Sequence, residues 1–259
     1  MKKFRYVFFL SIPLFASWFC TSLSSVKEKV TGMQEETKIP IRSHMAVLEL
    51  FTSQGCSSCP AADRLLDVYS NKENVIALSF HVDYWNKLGW KDPYSSSEYT
   101  KRQYNYASSL HSQVYTPQLI INGEREMVGS DSKKIDKALE KVWLQGTNSD
   151  LSIESVSLEN GKVNINYTVK GMKNNLLLNI ALVEKKTETA IKSGENGGVM
   201  LNGTNVVRNF KTISTPGEGK SIYVIDVPEG IDLKNISVVL YLQESNNRII
   251  AAQQAQVGM

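Results

Sequence analysis

The distribution of apolar residues from position 46 onward constrains the fold more than any other feature of the sequence. Strand-like apolar runs and segments with apolar residues at helical spacing alternate there over about 100 residues. The strand-like runs are 46–53, 74–82, 118–123 and 125–130, the last two joined by an Asn122-Gly123 turn. The helix-like segments are 59–70, 95–110 and 131–145, the last with Asp131 or Ser132 as its cap. The resulting order, β-α-β-α-β-β-α, predicts an α/β domain over 45–146 with a mixed sheet and flanking helices.

The rest of the chain has a different pattern, in which apolar and polar residues alternate with period two. Such alternation is typical of antiparallel strands with one buried face. The runs with this pattern are 151–170, which turns at Asn160-Gly161, and then 176–185, 221–228 and 235–245. Because no helical pattern interrupts them, we predict an all-β, sandwich-like domain over 150–259.

The N-terminus has the features of a secretory leader. Lys2, Lys3 and Arg5 precede an uncharged, mostly apolar run over 6–20, which is shorter than the roughly 20 residues that cross a bilayer. We therefore predict that residues 1–20 are a signal peptide or N-terminal anchor, with Cys20 as a candidate lipidation site. The polar segment 21–44 is predicted to be a flexible tether, and the protein to be exported to the periplasm or the extracellular space.

Charge excludes one class of partner. The formal net charge is +3, but without Lys2, Lys3 and Arg5 the chain has 26 basic and 26 acidic residues. A neutral body has no broad electrostatic attraction for nucleic acid or anionic membranes. We expect no nucleic-acid partner, and membrane contact only through the N-terminal segment.

Cys56 and Cys59 form a Cys-x-x-C motif between a predicted strand and a predicted helix. A helix N-terminus has unpaired N–H groups and a partial positive charge, which stabilise a thiolate. We predict that Cys56 attacks a substrate sulfur and that Cys59, one helical turn later, resolves the mixed disulfide. Pro60 fits the first helical turn, where no N–H is needed.

Two alternatives remain for this cysteine pair. It could bind a metal such as Cu(I), with His81 as a further ligand, or it could be an inert pair. Zinc prefers four ligands, but the sequence offers only His44, His81 and His111 besides the cysteines, and no second Cys-x-x-C. Nothing in the sequence indicates a cofactor.

Thr116-Pro117 stands directly before the predicted strand 118–123. X-Pro bonds adopt the cis form at modest cost. A cis bond beside the cysteines would leave the Thr116 backbone free to pair with an extended substrate. The alternative is a trans proline that opens an edge strand.

The end of the predicted strand 74–82 supplies the remaining candidates. Alternation along a strand would put His81 and Asp83 on one face, and Asp83, with His81 as second choice, is the candidate base for Cys59. The alternative is that they pair with each other or with Arg102 to hold the inserted segment 86–110. Tyr84 and Trp85 begin an aromatic cluster that would line a substrate groove or pack a lid onto the domain.

Four stretches carry a family resemblance: ELFTSQGCSSCPAAD, FHVDYWNKLGWKDPY, KRQYNYA and VYTPQLIING. They resemble the bacterial exported DUF1223 family, a thioredoxin-like family of undefined function, over 46–145, with a weaker similarity over 193–210. The resemblance implies a thioredoxin-like fold and a redox-capable site, but no substrate. Ser57-Ser58 between the cysteines and the insertion 86–110 depart from the thioredoxin pattern and disfavour a general protein-disulfide reductase.

The sequence thus favours a thiol–disulfide oxidoreductase that acts on an unidentified protein or small thiol or disulfide. A metal-handling module with the same cysteines is the second hypothesis. The third is a non-catalytic binding protein in which the β-rich domain carries the interaction.

Overall fold

The computed structural model describes residues 45–144, 150–171 and 176–258. The predicted leader (1–20) and tether (21–44), including Cys20, lie outside these residues. None of the three helices in the described part of the chain has the length and apolar character needed to cross a membrane.

The N-terminal half has the predicted element order. Its elements are β1 (Ala46–Thr52), α1 (Cys59–Ser70), β2 (Val75–His81), α2 (Ser97–Ser109), β3 (Gln118–Ile121), β4 (Arg125–Val128) and α3 (Ser132–Trp143). Side-chain caps fix two of the helix starts, because Ser96 accepts the Glu98 N–H and Asp131 accepts the Lys134 N–H. The turn at Asn122-Gly123, where both residues have positive φ, joins β3 to β4 as predicted.

The C-terminal half consists almost entirely of strands. They are β5 (Asp150–Glu159), β6 (Lys162–Lys170), β7 (Leu177–Ala190), β8 (Met200–Ser214), β9 (Gly219–Asp226), β10 (Ile236–Gln243) and β11 (Ile249–Gln256), with a short 3-10 helix at Leu233–Asn235. Two of these strands, β8 and β11, are absent from the sequence prediction.

Strands from both predicted domains hydrogen-bond in one mixed sheet. Its order is β11-β10-β7-β8-β2-β1-β3-β4, and a second sheet has the order β5-β6-β9. The connection between the two halves of the large sheet is the parallel contact of β2 with β8, at Ser79 and Val206. The described residues all lie in one compact unit, and strands on both sides of the predicted division at 146–150 share the large sheet. The division itself stays a prediction.

Three apolar cores among the described residues hold these layers together. One lies between the two sheets and contains Val163, Ile165 and Ile180, together with apolar residues of β9, β10 and β11. A second packs α1 and α3 against one face of the large sheet, and the third packs α2 against the other face. Burying each large aliphatic side chain contributes roughly 1.5–3 kcal/mol, so α1 is fixed firmly at the end of β1.

A buried ion pair anchors the inserted helix α2. Arg102 Nε donates to Glu49 Oε1 at 2.9 Å, and Tyr241 donates to the same oxygen at 2.7 Å. Tyr106 donates to the other carboxylate oxygen. Glu49 is fully buried, and this network connects β1, α2 and β10, so it ties the insertion to both halves of the chain.

Candidate active site

The cysteine pair lies where β1 passes into α1. Cys56 and Cys59 form a disulfide. A tight turn leads into the helix, because the Cys56 N–H donates to Ser53 O at 3.1 Å and the Cys59 N–H donates to Cys56 O at 3.2 Å. The helix begins at Cys59, and a proline stands in its first turn. The predicted position of the motif at a helix N-terminus is therefore confirmed.

Both sulfur-bearing residues are buried, although the two residues between them are not. Cys56 and Cys59 have 0% exposure, whereas Ser57 and Ser58 are exposed. The Cys56 sulfur lies 3.3 Å from Ser58 Oγ. A partner thiol must therefore find a path to sulfur atoms that the protein covers.

The inserted segment contributes a buried acid next to this turn. Asp92 Oδ2 lies 2.7 Å from His81 Nδ1 and accepts the Gln54 N–H at 2.8 Å. Burial opposes the charge of His81, but the Asp92 carboxylate outweighs it and raises the pKa of His81 above its ordinary value. Burial likewise opposes ionisation of Asp92, and His81 holds the pKa of that carboxyl below its usual range. The two form an ion pair beside Gln54.

Asp63 is the second acid of the site. It follows Cys59 by one helical turn, and residues four apart lie on the same helix face. Burial raises the pKa of Asp63 from 3.8 to about 6, although the nearby charge of His81 acts in the opposite direction. A carboxyl group with this pKa exchanges its proton near neutral pH, which is the property that thiol chemistry requires of a neighbouring acid.

Two buried polar atoms near Asp63 are unsatisfied. Thr52 and His81 are register partners at the ends of β1 and β2, and the positive charge of His81 lowers the pKa of Asp63. Thr52 Oγ1 and His81 Nε2 have no partner at hydrogen-bond distance and angle among the described residues. Buried polar atoms are paired in most proteins, and each exception calls for an explanation, such as a catalytic role.

A cleft connects Asp63 with the surface. Its volume is about 680 Å3, and it lies between α1 and the β7–β8 hairpin. The residues that line it are Asp63, Arg64, Asp67, Lys186, Thr187, Glu188, Asn202, Gly203 and Thr204. Because Asp63 lines this cleft, its carboxyl group has a route for proton exchange with solvent.

Asp83, the predicted base, lies in a different environment. β2 ends at His81, so the alternation that would put both residues on one face does not reach Asp83. Thr100 in α2 donates to Asp83 Oδ1 at 2.6 Å. The alternative pairing of these residues with each other or with Arg102 is wrong, because His81 pairs with Asp92 and Arg102 pairs with Glu49. The role of Asp83 as a base stays a prediction.

Trp85 connects the cysteine turn with the Thr116-Pro117 segment. Its indole N–H donates to Thr116 Oγ1 at 2.9 Å. A Cβ atom on Gly55 would lie 3.2 Å from Trp85 Cβ, so glycine allows this close approach. The Thr116–Pro117 bond is cis. Tyr84 points to α2 instead, where its hydroxyl donates to Gln103 Oε1 at 3.3 Å.

No metal cluster accompanies these residues. Within residues 45–144, 150–171 and 176–258, no group of three or more histidine, cysteine, aspartate and glutamate side chains is arranged to hold a metal ion. His44, one of the three histidines of the chain, lies outside the described residues.

Sequence reasoning found the cysteines and missed the two acids that accompany them. The spacing of Asp63, four residues after Cys59 in a predicted helix, is a signal that could have identified it. Asp92 is 38 residues from Gln54, and no local pattern predicts that contact.

These features define a class of protein: a mixed α/β fold with a disulfide-bonded Cys-x-x-C motif at a strand-to-helix junction, accompanied by two acids and a histidine. The family model described as "Protein of unknown function (DUF1223)" matches residues 47–243. The chain belongs to the DUF1223 family, as the resemblance over 46–145 indicated.

Two solved structures are similar to this chain over most of its length. Protein AGR_C_4864 from Agrobacterium tumefaciens has 29% identity and a TM-score of 0.66, and the match covers 84% of this chain and 96% of that one. HBP35 of Porphyromonas gingivalis has 14% identity and a TM-score of 0.58, with 83% and 76% covered. The second similarity shows the fold alone. No curated protein matches the chain.

Proposed function

We propose that the protein is an exported thiol–disulfide oxidoreductase with a thioredoxin-like N-terminal part, and that Cys56 and Cys59 are its redox group. The observation that carries the proposal is the disulfide at the start of α1, with Asp63 one turn further along the same helix. A disulfide between residues three apart closes too short a loop to stabilise the fold appreciably, so a chemical role accounts for it better.

The reaction is an exchange of two electrons and two protons. A substrate thiolate attacks Cys56 Sγ, the Cys56–Cys59 bond breaks, and Cys59 leaves as a thiolate that takes up a proton. The second substrate thiol then loses its proton and attacks the substrate sulfur of the mixed disulfide, which releases Cys56. The substrate dithiol becomes a disulfide, and the protein disulfide becomes a dithiol. The same steps run in reverse when the partner disulfide is the stronger oxidant.

Asp63 is the group best suited to supply the proton that Cys59 takes up. Its pKa of about 6 leaves part of the carboxyl groups protonated near neutral pH, and the cleft allows the proton to be replaced from solvent. The positive charge of His81 stabilises the carboxylate that Asp63 becomes. Asp83, whose carboxylate accepts a hydrogen bond from Thr100, stays the alternative base that the sequence favoured.

Export and partner choice complete the proposal. The basic and apolar leader supports export to the periplasm or the extracellular space, where a disulfide of this kind persists. The partner is a protein or a small thiol or disulfide. The neutral charge balance of the body argues against nucleic acid, and membrane association would come from the N-terminal segment.

Trapping with glutathione disulfide tests the assignment of the two cysteines. In reduced Cys59→Ser, Cys56 attacks the probe and the mixed disulfide persists, because no second thiol resolves it. The matched variant Cys56→Ser should form its mixed disulfide at least about tenfold more slowly, since Cys56 lies ahead of the first turn of α1, where the unpaired N–H groups favour a thiolate. Mass spectrometry of the intact protein gives both rates. Equal rates in the two variants would contradict the proposed roles.

A further inference from the structure

A distant part of the chain bonds to the turn that carries the disulfide. The two serines between the cysteines are exposed, yet both cysteines have 0% exposure. The distant segment is the turn between β7 and β8, and we call residues 193–198 of this turn the cover turn. Its contacts with the cysteine motif span more than 130 positions in sequence.

The cover turn bonds to backbone groups of the cysteine motif. The Asn196 amide donates to Gln54 O at 2.9 Å and to Cys56 O at 3.0 Å. Glu195 Oε2 accepts the Ser57 N–H at 3.0 Å. Hydrogen bonding to Ser57 holds the pKa of Glu195 below its ordinary value. Two carbonyl acceptors and one N–H donor of the motif are therefore occupied by the protein itself.

The cover turn has a shape of its own and rests on the inserted segment. Gly198 N–H donates to Ile191 O at 2.8 Å, and Gly197 N–H donates to Gly194 O at 3.1 Å. A Cβ atom on Gly194 would lie 3.1 Å from Trp90 Cβ, so the turn packs closely on the insertion. The cover turn therefore has hydrogen bonds of its own and contacts the cysteine motif through a small number of polar groups.

We propose that the cover turn occupies the substrate site, and that the substrate is an extended polypeptide segment that displaces it. The inference rests on the proposed exchange reaction. A carbonyl pair and an N–H group are the complement of a peptide main chain, which offers N–H donors and carbonyl acceptors in alternation. Displacement uncovers Cys56 and returns the same kind of hydrogen bonds to Gln54, Cys56 and Ser57. A small thiol that displaces the cover turn does not replace the hydrogen bonds to Gln54, Cys56 and Ser57.

The first experiment measures access to the disulfide in the oxidised full-length chain. Excess dithiothreitol reduces the disulfide, and the rate is followed by thiol labelling and mass spectrometry. Asn196→Ala removes two hydrogen bonds and should accelerate reduction about tenfold or more. The control Asn164→Ala, in the three-stranded sheet, should keep the wild-type rate. An unchanged rate in Asn196→Ala would overturn the proposal.

Substitutions of Glu195 provide a second test on an exposed side chain. Glu195→Ala removes the acceptor for the Ser57 N–H and should accelerate reduction by about threefold, since a single hydrogen bond is lost. Glu195→Gln keeps an oxygen acceptor and removes the charge, so it should stay closer to wild type. An equal acceleration by both would assign the effect to charge and contradict a role for the hydrogen bond.

The substrate class is tested by comparing two reductants at equal thiol concentration. An unstructured peptide with two cysteines should reduce the wild-type disulfide at least about tenfold faster than glutathione. Asn196→Ala should lower the ratio of the peptide rate to the glutathione rate, because glutathione then reaches the sulfur atoms freely. Equal wild-type rates with peptide and glutathione would contradict the polypeptide assignment. Asn196→Ala would also accelerate reduction of a purely structural disulfide. Failure of the proposed exchange reaction is therefore recognised by a separate measurement, the equilibrium reduction potential of the disulfide.

Discussion

Two buried polar clusters lie on opposite faces of β1, and they differ in how completely their hydrogen bonds are satisfied. On one face, the Glu49 carboxylate accepts from Arg102, Tyr106 and Tyr241. On the other face, Thr52 Oγ1 and the Nε2 atom of its strand neighbour His81 have no hydrogen-bond partner among the described residues. Glu49 and Thr52 are three residues apart along β1. Because side chains alternate between the two faces of a strand, this odd spacing puts the two residues on opposite faces.

The comparison distinguishes a structural cluster from a chemical one. A fully satisfied buried network rigidifies a core and fixes its neighbours. A cluster with open hydrogen-bonding positions, and with Asp63 at a pKa of about 6, has room for proton movement. We therefore assign the Glu49 cluster to the stability of the insertion, whereas a role of the Asp63 cluster in the reactivity of the disulfide belongs to the proposed function.

The largest expected effect comes from breaking the satisfied cluster. Glu49→Ala leaves the Arg102 side chain, which is only 14% exposed, without its counter-ion, and this should lower the free energy of unfolding by about 3–5 kcal/mol. Urea denaturation followed by circular dichroism measures the loss. A change below about 1 kcal/mol would show that the network does not anchor the insertion.

The Asp63 cluster should respond in the pH dependence of stability. The folded-state pKa of Asp63 is raised from 3.8 to about 6, so between these values the unfolded chain releases a proton that the folded protein keeps. The free energy of unfolding gained from this group is complete below about pH 4 and is lost as the pH rises through about 6. Asp63→Asn should remove this decrease of the unfolding free energy with rising pH.

The control for that experiment is Asp83→Asn, which changes the residue that the sequence favoured as the base. Urea denaturation of wild type and both variants from about pH 4 to about pH 7 gives the three slopes. Asp83→Asn should keep the wild-type slope. Loss of the slope in Asp83→Asn rather than in Asp63→Asn would move the proton-exchanging role back to Asp83.

A smaller effect is expected at Trp85, which joins the cysteine turn to the Thr116-Pro117 segment. Trp85→Phe removes the hydrogen bond to Thr116 Oγ1 and keeps an aromatic ring. The expected loss is about 0.5–1.5 kcal/mol, measured by thermal unfolding. Tyr84→Phe, which removes a longer hydrogen bond to Gln103, is the matched variant and should lose less. The reverse order would contradict the bridging role of Trp85.

The smallest effect is expected at the rim of the cleft. Lys186 forms an ion pair with Asp67, and its side chain is 60% exposed. Exposed pairs contribute about 0–1 kcal/mol, so Lys186→Ala should leave stability nearly unchanged in urea denaturation. A loss comparable to that of Glu49→Ala would contradict the contrast between buried and exposed charges.

Local patterns in the sequence predicted the elements that local interactions determine. The β-α-β-α-β-β-α order, the turn at Asn122-Gly123 and the cap at Asp131 all follow from periodicity and turn chemistry. β8 was not predicted because it contains Gly203 and Asn205, the latter with φ +45°, and both residue types disfavour strands. Gly203 is needed there, since a Cβ atom would lie 2.4 Å from Thr187 Oγ1.

The residues of the site that the sequence did not predict depend on contacts between distant segments. The Cys-x-x-C motif was visible because its two residues are close in sequence. Asn196 reaches the motif only because β8 pairs with β2 in parallel, and no pattern near either segment reveals that pairing. The same holds for Asp92, whose carboxylate meets His81 through the fold of the insertion.

The equilibrium reduction potential of the Cys56–Cys59 disulfide decides between an exchange-active pair and a structural one. The oxidised full-length chain is equilibrated with dithiothreitol or glutathione redox buffers, and the dithiol fraction is quantified after alkylation. An exchange-active pair should give a single two-electron transition at about −120 to −270 mV, the range of thiol–disulfide oxidoreductases. A midpoint below about −300 mV, as in structural disulfides, would contradict the account.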